Sequence, residues 1–241
     1  MGSSPMAVSI SKLVLLPGLD GTGELFRDLI AALPPGMDVI IVSYSGTGAQ
    51  SYEELLPIVR DALPKDKLYV LVAESFSSPL AIHLAATHPD HLAGLVLCAG
   101  FAASPVSGLI RPLIAVLARQ IFLMPVPEWV IRSFLIGEGA SNELTGRVKK
   151  AVESVPGHVL AERMRTVLTC DVREKLAEIT VPMTYLQAAK DRLVWPSSVE
   201  IIRRYAPAIT TVHIDGPHLI LQREPEQSSV AIQLFLSRLN D

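Results

Sequence analysis

Cysteine is nearly missing from this chain. Cys98 and Cys170 are the only two among 241 residues, and two cysteines so placed form neither a metal-binding spacing nor a disulfide framework. Cys98 lies in an apolar strand pattern and reads as a small core residue. Charge is sparse too, at 19% of residues with a net charge of −3. No cluster of Lys and Arg interleaves with aromatics, so nucleic acid is not expected as a partner. No basic start runs into an apolar stretch, so a secretory signal is not expected and a cytoplasmic protein is. Met1-Gly2-Ser3-Ser4-Pro5, ahead of Met6, reads as a cloning remnant. Long unbroken apolar runs are missing as well. Leu92 to Ile110 carries no charge, but Gly94, Gly100, Pro105 and Gly108 interrupt it. It reads as a buried strand plus a loop, and stable membrane insertion is not expected. Internal repeats and low-complexity tracts are absent.

What is present is a well-provided apolar chain. Hydrophobic residues make up 49% of it, enough to build a large core without disulfides or metals. Strand and helix patterns alternate. Apolar runs at Lys12–Pro17, Val39–Val42, Leu68–Ala73 and Leu92–Cys98 read as strands. Between them lie helical patterns: Leu25 to Leu33, a stretch opened by the capping-box spacing Ser51-Tyr52-Glu53-Glu54, and Phe76 to Thr87. Pro57 is expected to kink the second helix or delay its start. From Ser104 to Lys175 the periodicity is helical throughout. Strands then return at Met183–Gln187 and Thr210–Ile214, with helices near Ser197–Tyr205 and Pro225–Leu239. Continuous apolar strands separated by helices predict a mostly parallel central sheet of about six strands, covered by helices on both faces. Residues 1–103 and 176–241 form the core domain in this reading, and 104–175 a helical insertion at one edge of the sheet.

The chemistry is read from the loop after each strand, because ligands of open α/β sheets bind beyond the carboxyl ends. After the first strand comes Pro17-Gly18-Leu19-Asp20-Gly21-Thr22-Gly23. This loop lacks the Lys-Ser/Thr of a phosphate loop and the spacing of a dinucleotide fingerprint, so neither a cofactor nor a metal is expected. After the third comes Ala73-Glu74-Ser75-Phe76-Ser77, a strand running into a serine flanked by small residues and then a helix. That is the local shape of a nucleophile elbow, with Ala73 and Ser77 in place of its two glycines. Ser75 as a plain helix cap is the competing reading. After the fifth comes Lys190-Asp191-Arg192, and after the sixth Asp215-Gly216-Pro217-His218. A hydroxyl, a carboxylate and an imidazole thus emerge at one edge, as a Ser-His-Asp site requires. Asp215 is the rival acid, but its place on the same strand end as His218 favours Asp191.

These residues make the chain resemble the α/β-hydrolase superfamily, most securely over Lys12–Cys98 and Val181–Leu239. The order Ser75, Asp191, His218 is the superfamily's order, and the glycine-rich loop looks like its oxyanion loop. The resemblance implies Ser75 as nucleophile, His218 as general base and acid, and Asp191 as its orienting carboxylate. It further implies oxyanion donors at the backbone N–H groups of Leu19 and Phe76, and a cap formed by the helical insertion. The expected activity is hydrolysis of carboxylic esters of small to medium hydrophobic substrates through an acyl-enzyme, because the apolar insertion suits such a pocket. Acyl transfer, hydroxynitrile cleavage on the same three side chains, or a slow-turnover ligand receptor are the alternatives.

Overall fold

The computed structural model describes residues 10–48 and 50–240, so the stretch before Met6 lies outside it. Six strands form one parallel sheet in the order β2-β1-β3-β4-β5-β6. They are β1 (Lys12–Leu16), β2 (Asp38–Ile41), β3 (Tyr69–Glu74), β4 (Leu92–Cys98), β5 (Met183–Ala188) and β6 (Thr210–Ile214). The period-2 alternation of side chains divides each strand between two cores. Val14, Leu16, Leu71 and Leu97 join one apolar cluster, and Leu13, Leu15, Val72 and Val96 join the other. Burial on both faces explains why β1 and β3 are uninterrupted apolar runs rather than alternating ones.

Among the described residues, ten α-helices surround the sheet: α1 (Arg27–Ala32), α2 (Tyr52–Ala62), α3 (Ser78–Ala85), α4 (Arg111–Leu123), α5 (Glu128–Val130), α6 (Asn142–Glu153), α7 (Gly157–Thr169), α8 (Ser197–Tyr205), α9 (Ile220–Arg223) and α10 (Pro225–Asn240). α2 starts where its capping box predicts. Ser51 Oγ accepts from the Glu54 amide and the Glu54 carboxylate accepts from the Ser51 amide. Pro57 therefore does not delay the start, and it sits inside the helix. No helix among the described residues is long and apolar enough to cross a membrane.

The helical stretch predicted at a sheet edge has a different origin. It leaves from β4 and returns to β5, which pair with each other inside the sheet. It therefore rises from the carboxyl end of a central strand, β4. Its elements are α4 to α7, with a π-helical turn at Ile131–Ile136 after α5. One antiparallel bridge, Ala103 with Asp171, closes its base. α4 packs on α7 yet leaves much of its apolar surface in solvent: Val116 is 69% exposed and Leu123 67%.

The strand order positions the loops. Chain direction across the sheet reverses at β1 and β3, the topological switch where α/β sheets open a crevice. Because β3 neighbours β1, the glycine-rich loop flanks the end of β3. Because β5 neighbours β6, the loops carrying Asp191 and His218 lie side by side.

Candidate active site

Ser75 sits at the end of β3, where the strand turns at once into a short 3-10 turn (Ser75–Ser77) and then α3. Its φ is +47°, a left-handed conformation that costs a non-glycine residue of order 1–3 kcal/mol. The turn lifts the hydroxyl off the sheet, and Phe76 anchors it from below, packed against Tyr44 and Tyr52. Ser75 Oγ lies 2.8 Å from His218 Nε2. His218 Nδ1 lies 2.8 Å from Asp191 Oδ2. Asp191 is itself fixed, because its Oδ1 accepts from the amides of Leu193 (2.8 Å) and Val194 (2.9 Å). The imidazole and this carboxylate are each only 4% exposed. Asp215 takes no part. It is 72% exposed and pairs with Lys190 at 2.8 Å.

The glycine-rich loop forms a tight turn closed by the Gly21 amide donating to Gly18 O at 3.0 Å. The N–H of Leu19, inside that turn, has no hydrogen-bond partner among the described residues. Two hollows are also present. One of about 510 Å³ lies at the amino ends of β5 and β6, lined by Met183 and Thr210 among others, at the opposite end of those strands from Asp191 and His218. The other, of about 410 Å³, is lined by Phe122, Met124, Val155 and Leu160. Its Val155 and Leu160 belong to an apolar cluster that packs against Leu19. Location therefore outweighs size here, and the smaller hollow is the one that adjoins the loop.

The chain matches the alpha/beta hydrolase family over residues 13–229. It belongs to that family. A pimeloyl-[acyl-carrier protein] methyl ester esterase of Vibrio atlanticus is 28% identical over 202 residues, covering 76% of this chain and 77% of that protein. A protein of Azorhizobium caulinodans with the provisional designation carbamate hydrolase RutD is 27% identical over 210 residues, covering 77% and 75%. Among solved structures, a thermophilic esterase from Thermogutta terrifontis superposes with a TM-score of 0.81 at 20% identity, covering 95% of this chain and 90% of that one. At that identity the likeness speaks for the fold alone.

As an alpha/beta hydrolase the chain departs from the usual elbow glycines, and Ser77 shows how. The position is fully buried, as a residue in a glycine's place must be. Its hydroxyl does more than pack, since it donates to Pro17 O and meets the Tyr44 hydroxyl at 2.5 Å. The extra atom that a glycine elbow lacks thus ties the elbow to the loops after β1 and β2. The π-helical turn contributes a second tie, with the Leu219 amide, next to His218, donating to Leu135 O at 2.9 Å.

Glu74, beside Ser75 in sequence, turns its side chain to Gln222. Its carboxylate is buried. Oε2 accepts from Gln222 Nε2 at 3.2 Å, and Oε1 has no partner among the described residues. Burial, then the nearby Asp20 carboxylate, push its pKa up to about 7, against the smaller opposing pulls of His218 and Gln222. An unfolded glutamate releases its proton near 4.5. Between those two pH values the folded chain keeps a proton that the unfolded chain has lost, so stability falls as pH rises through that window and levels off above it. Glu74→Gln keeps the neutral shape. Its stability relative to wild type is expected to rise by about 2–4 kcal/mol from the bottom of the window to the top. Urea denaturation of both proteins at a series of pH values measures this, and parallel stability curves would refute it.

Proposed function

We propose that the chain is a serine hydrolase that cleaves carboxylic esters of small to medium hydrophobic substrates through an acyl-enzyme. The observation that carries this reading is the unbroken hydrogen-bonded line from Asp191 through His218 to Ser75, with Ser75 held at positive φ. In the proposed reaction Ser75 Oγ attacks the acyl carbon and its proton passes to His218 Nε2. Asp191 accepts from Nδ1–H, which fixes the tautomer and stabilises the imidazolium. The N–H groups of Leu19 and Phe76 donate to the oxyanion of the tetrahedral intermediate. The ester C–O bond then breaks, and the alcohol departs with the proton from Nε2. Water repeats the sequence on the acyl-enzyme and frees the acid.

Two further points support it. The free Leu19 amide lies in the loop that flanks Ser75. Leu19 packs against the apolar cluster of Val155, Val159 and Leu160, side chains that suit a hydrophobic acyl or alcohol group. Residues 104–175 act as a cap over this site in the same proposal. The methyl ester esterase among the relatives favours an ester over other acyl substrates.

A fluorophosphonate probe tests the proposal, because it reacts with an activated serine hydroxyl by displacing fluoride. One label per chain is expected, on the peptide carrying Ser75 when mapped by mass spectrometry. Labelling at another residue, or none, would overturn the reading.

A further inference from the structure

Arg163 belongs to α7 and to none of the loops that carry Ser75, Asp191 or His218. It is nevertheless completely buried, at 0% exposure. Its guanidinium is committed to the loops after β1 and β2. Nη1 donates to Leu19 O at 3.0 Å and to Asp20 O at 2.6 Å. Nη2 donates to Ser45 O at 3.1 Å, and Nε to Gln50 Oε1 at 2.8 Å. The guanidinium also sits 5.6 Å from the centre of the Tyr44 ring. Taking a guanidinium out of water costs several kcal/mol, and an apolar side chain would fill the same space without that cost. Bulk packing therefore does not account for an arginine here, whereas its planar fork aimed at several carbonyls does.

Those carbonyls have a geometric meaning. Leu19 and Asp20 are the two central residues of the turn that Gly21 N–H closes onto Gly18 O. In a trans peptide the N–H points opposite to the C=O. The Leu19 N–H shares its peptide plane with Gly18 O, which the turn itself holds. The next two carbonyls are held by one nitrogen of Arg163. With three successive carbonyls fixed, the Leu19 N–H is left with one direction. The loop is shaped to receive the fork. Gly21 has φ +67°, and a Cβ there would fall 2.4 Å from Nη1, so only glycine admits the guanidinium this closely.

We infer that Arg163 is a positioning residue of this hydrolase: it aims the Leu19 amide as the second oxyanion donor and makes that aim depend on how α7 is seated. The inference rests on the function proposed above. Its mechanical content is that the helical segment between β4 and β5 and the oxyanion turn move together, since one side chain bonds both.

The test compares wild type with Arg163→Lys, which keeps the charge but loses the fork. Three quantities are measured: active sites titrated by fluorophosphonate, kcat and KM on a p-nitrophenyl ester, and affinity for a boronic acid that forms a tetrahedral adduct on serine. Per titrated site, kcat is expected to fall roughly 10- to 100-fold, with KM within about threefold of wild type. Boronate affinity is expected to fall by the same factor as kcat. A merely structural role would reduce the number of titrated sites and leave kcat per site unchanged, and that result overturns the inference. If Arg163→Lys does not fold, Gln50→Leu carries the test. It removes the partner of Nε, and with it the bonds from Gln50 Nε2 to Ser45 O, Thr47 O and Gly48 O, while leaving the guanidinium and its bonds to Leu19 O and Asp20 O in place, and a smaller fall of the same pattern is expected. Unchanged kcat per site in Gln50→Leu then overturns the inference. Wild type labelled at Ser75 beside an unaffected variant sinks the inference alone, whereas wild type that takes no label at Ser75 sinks the proposed function and this inference with it.

Discussion

Ser75→Ala is expected to lower kcat on a p-nitrophenyl ester by about 10⁶-fold, the scale on which a nucleophile that works as a unit with its base is lost. The fold should survive. Among the described residues the hydroxyl makes one side-chain hydrogen bond, with His218 Nε2 at 2.8 Å, and it is not part of the Ser77 tie to Pro17 and Tyr44. Stability should change by no more than about 1 kcal/mol. Because serine and imidazole act together in the proposed mechanism, His218→Ala should cost about as much, and the double variant little more than either alone. Initial rates on purified variants, with urea denaturation to check folding, measure this. A Ser75→Ala protein within a hundredfold of wild type would remove Ser75 from the mechanism.

Asp191→Asn carries the second large effect, a fall in kcat of about 10⁴-fold. The reason lies in what surrounds each oxygen. Oδ1 accepts from two backbone amides, those of Leu193 and Val194. An asparagine must keep its carbonyl oxygen there, since an NH₂ group would face two donors. Its NH₂ then faces His218 Nδ1 and donates to it. That forces the imidazole into the tautomer with hydrogen on Nε2, which donates to Ser75 where it should accept. Asp215→Asn is the contrast. Asp215 is exposed and paired with Lys190, so its loss should leave kcat unchanged and shift stability by less than about 0.5 kcal/mol. Parallel kinetics on the two variants separate the acids, and equal losses would contradict the geometry.

Much of this was legible in the residue order, and for physical reasons. Leu92–Cys98 is predicted and found as one strand, because a strand buried on both faces must be apolar at every position. α2 starts where Ser51 and Glu54 satisfy each other's amides, a purely local matter. Ser75, Asp191 and His218 could be singled out because each comes after a strand end, and the sheet brings all strand ends to one edge. The illegible parts depend on distant partners. Ser77 reads as a small residue in place of a glycine, yet its hydroxyl partners are Pro17 and Tyr44, 60 and 33 residues away. Arg163 lies in Glu162-Arg163-Met164-Arg165, where nothing local separates it from Arg165, an exposed partner of Glu162. Its own acceptors lie 113 to 144 residues away. No helix periodicity reports a contact of that span. The apolar residues of α4 are more than its one packing face can bury, and Val116 and Leu123 remain in solvent.

The bond from Ser75 to His218 spans 143 residues of chain. At roughly 5–20 residues per second of synthesis, Ser75 leaves the ribosome about 7–29 s before His218 does. β1, β2, β3 and β4 all precede the helical segment, so the elbow and the turn beside it are translated well before β5 and β6. Under the proposed mechanism a nascent or truncated chain therefore carries an idle hydroxyl. Under the same mechanism hydrolytic competence arrives only when the segment after β6 delivers its imidazole, which makes activity a readout of synthesis through His218.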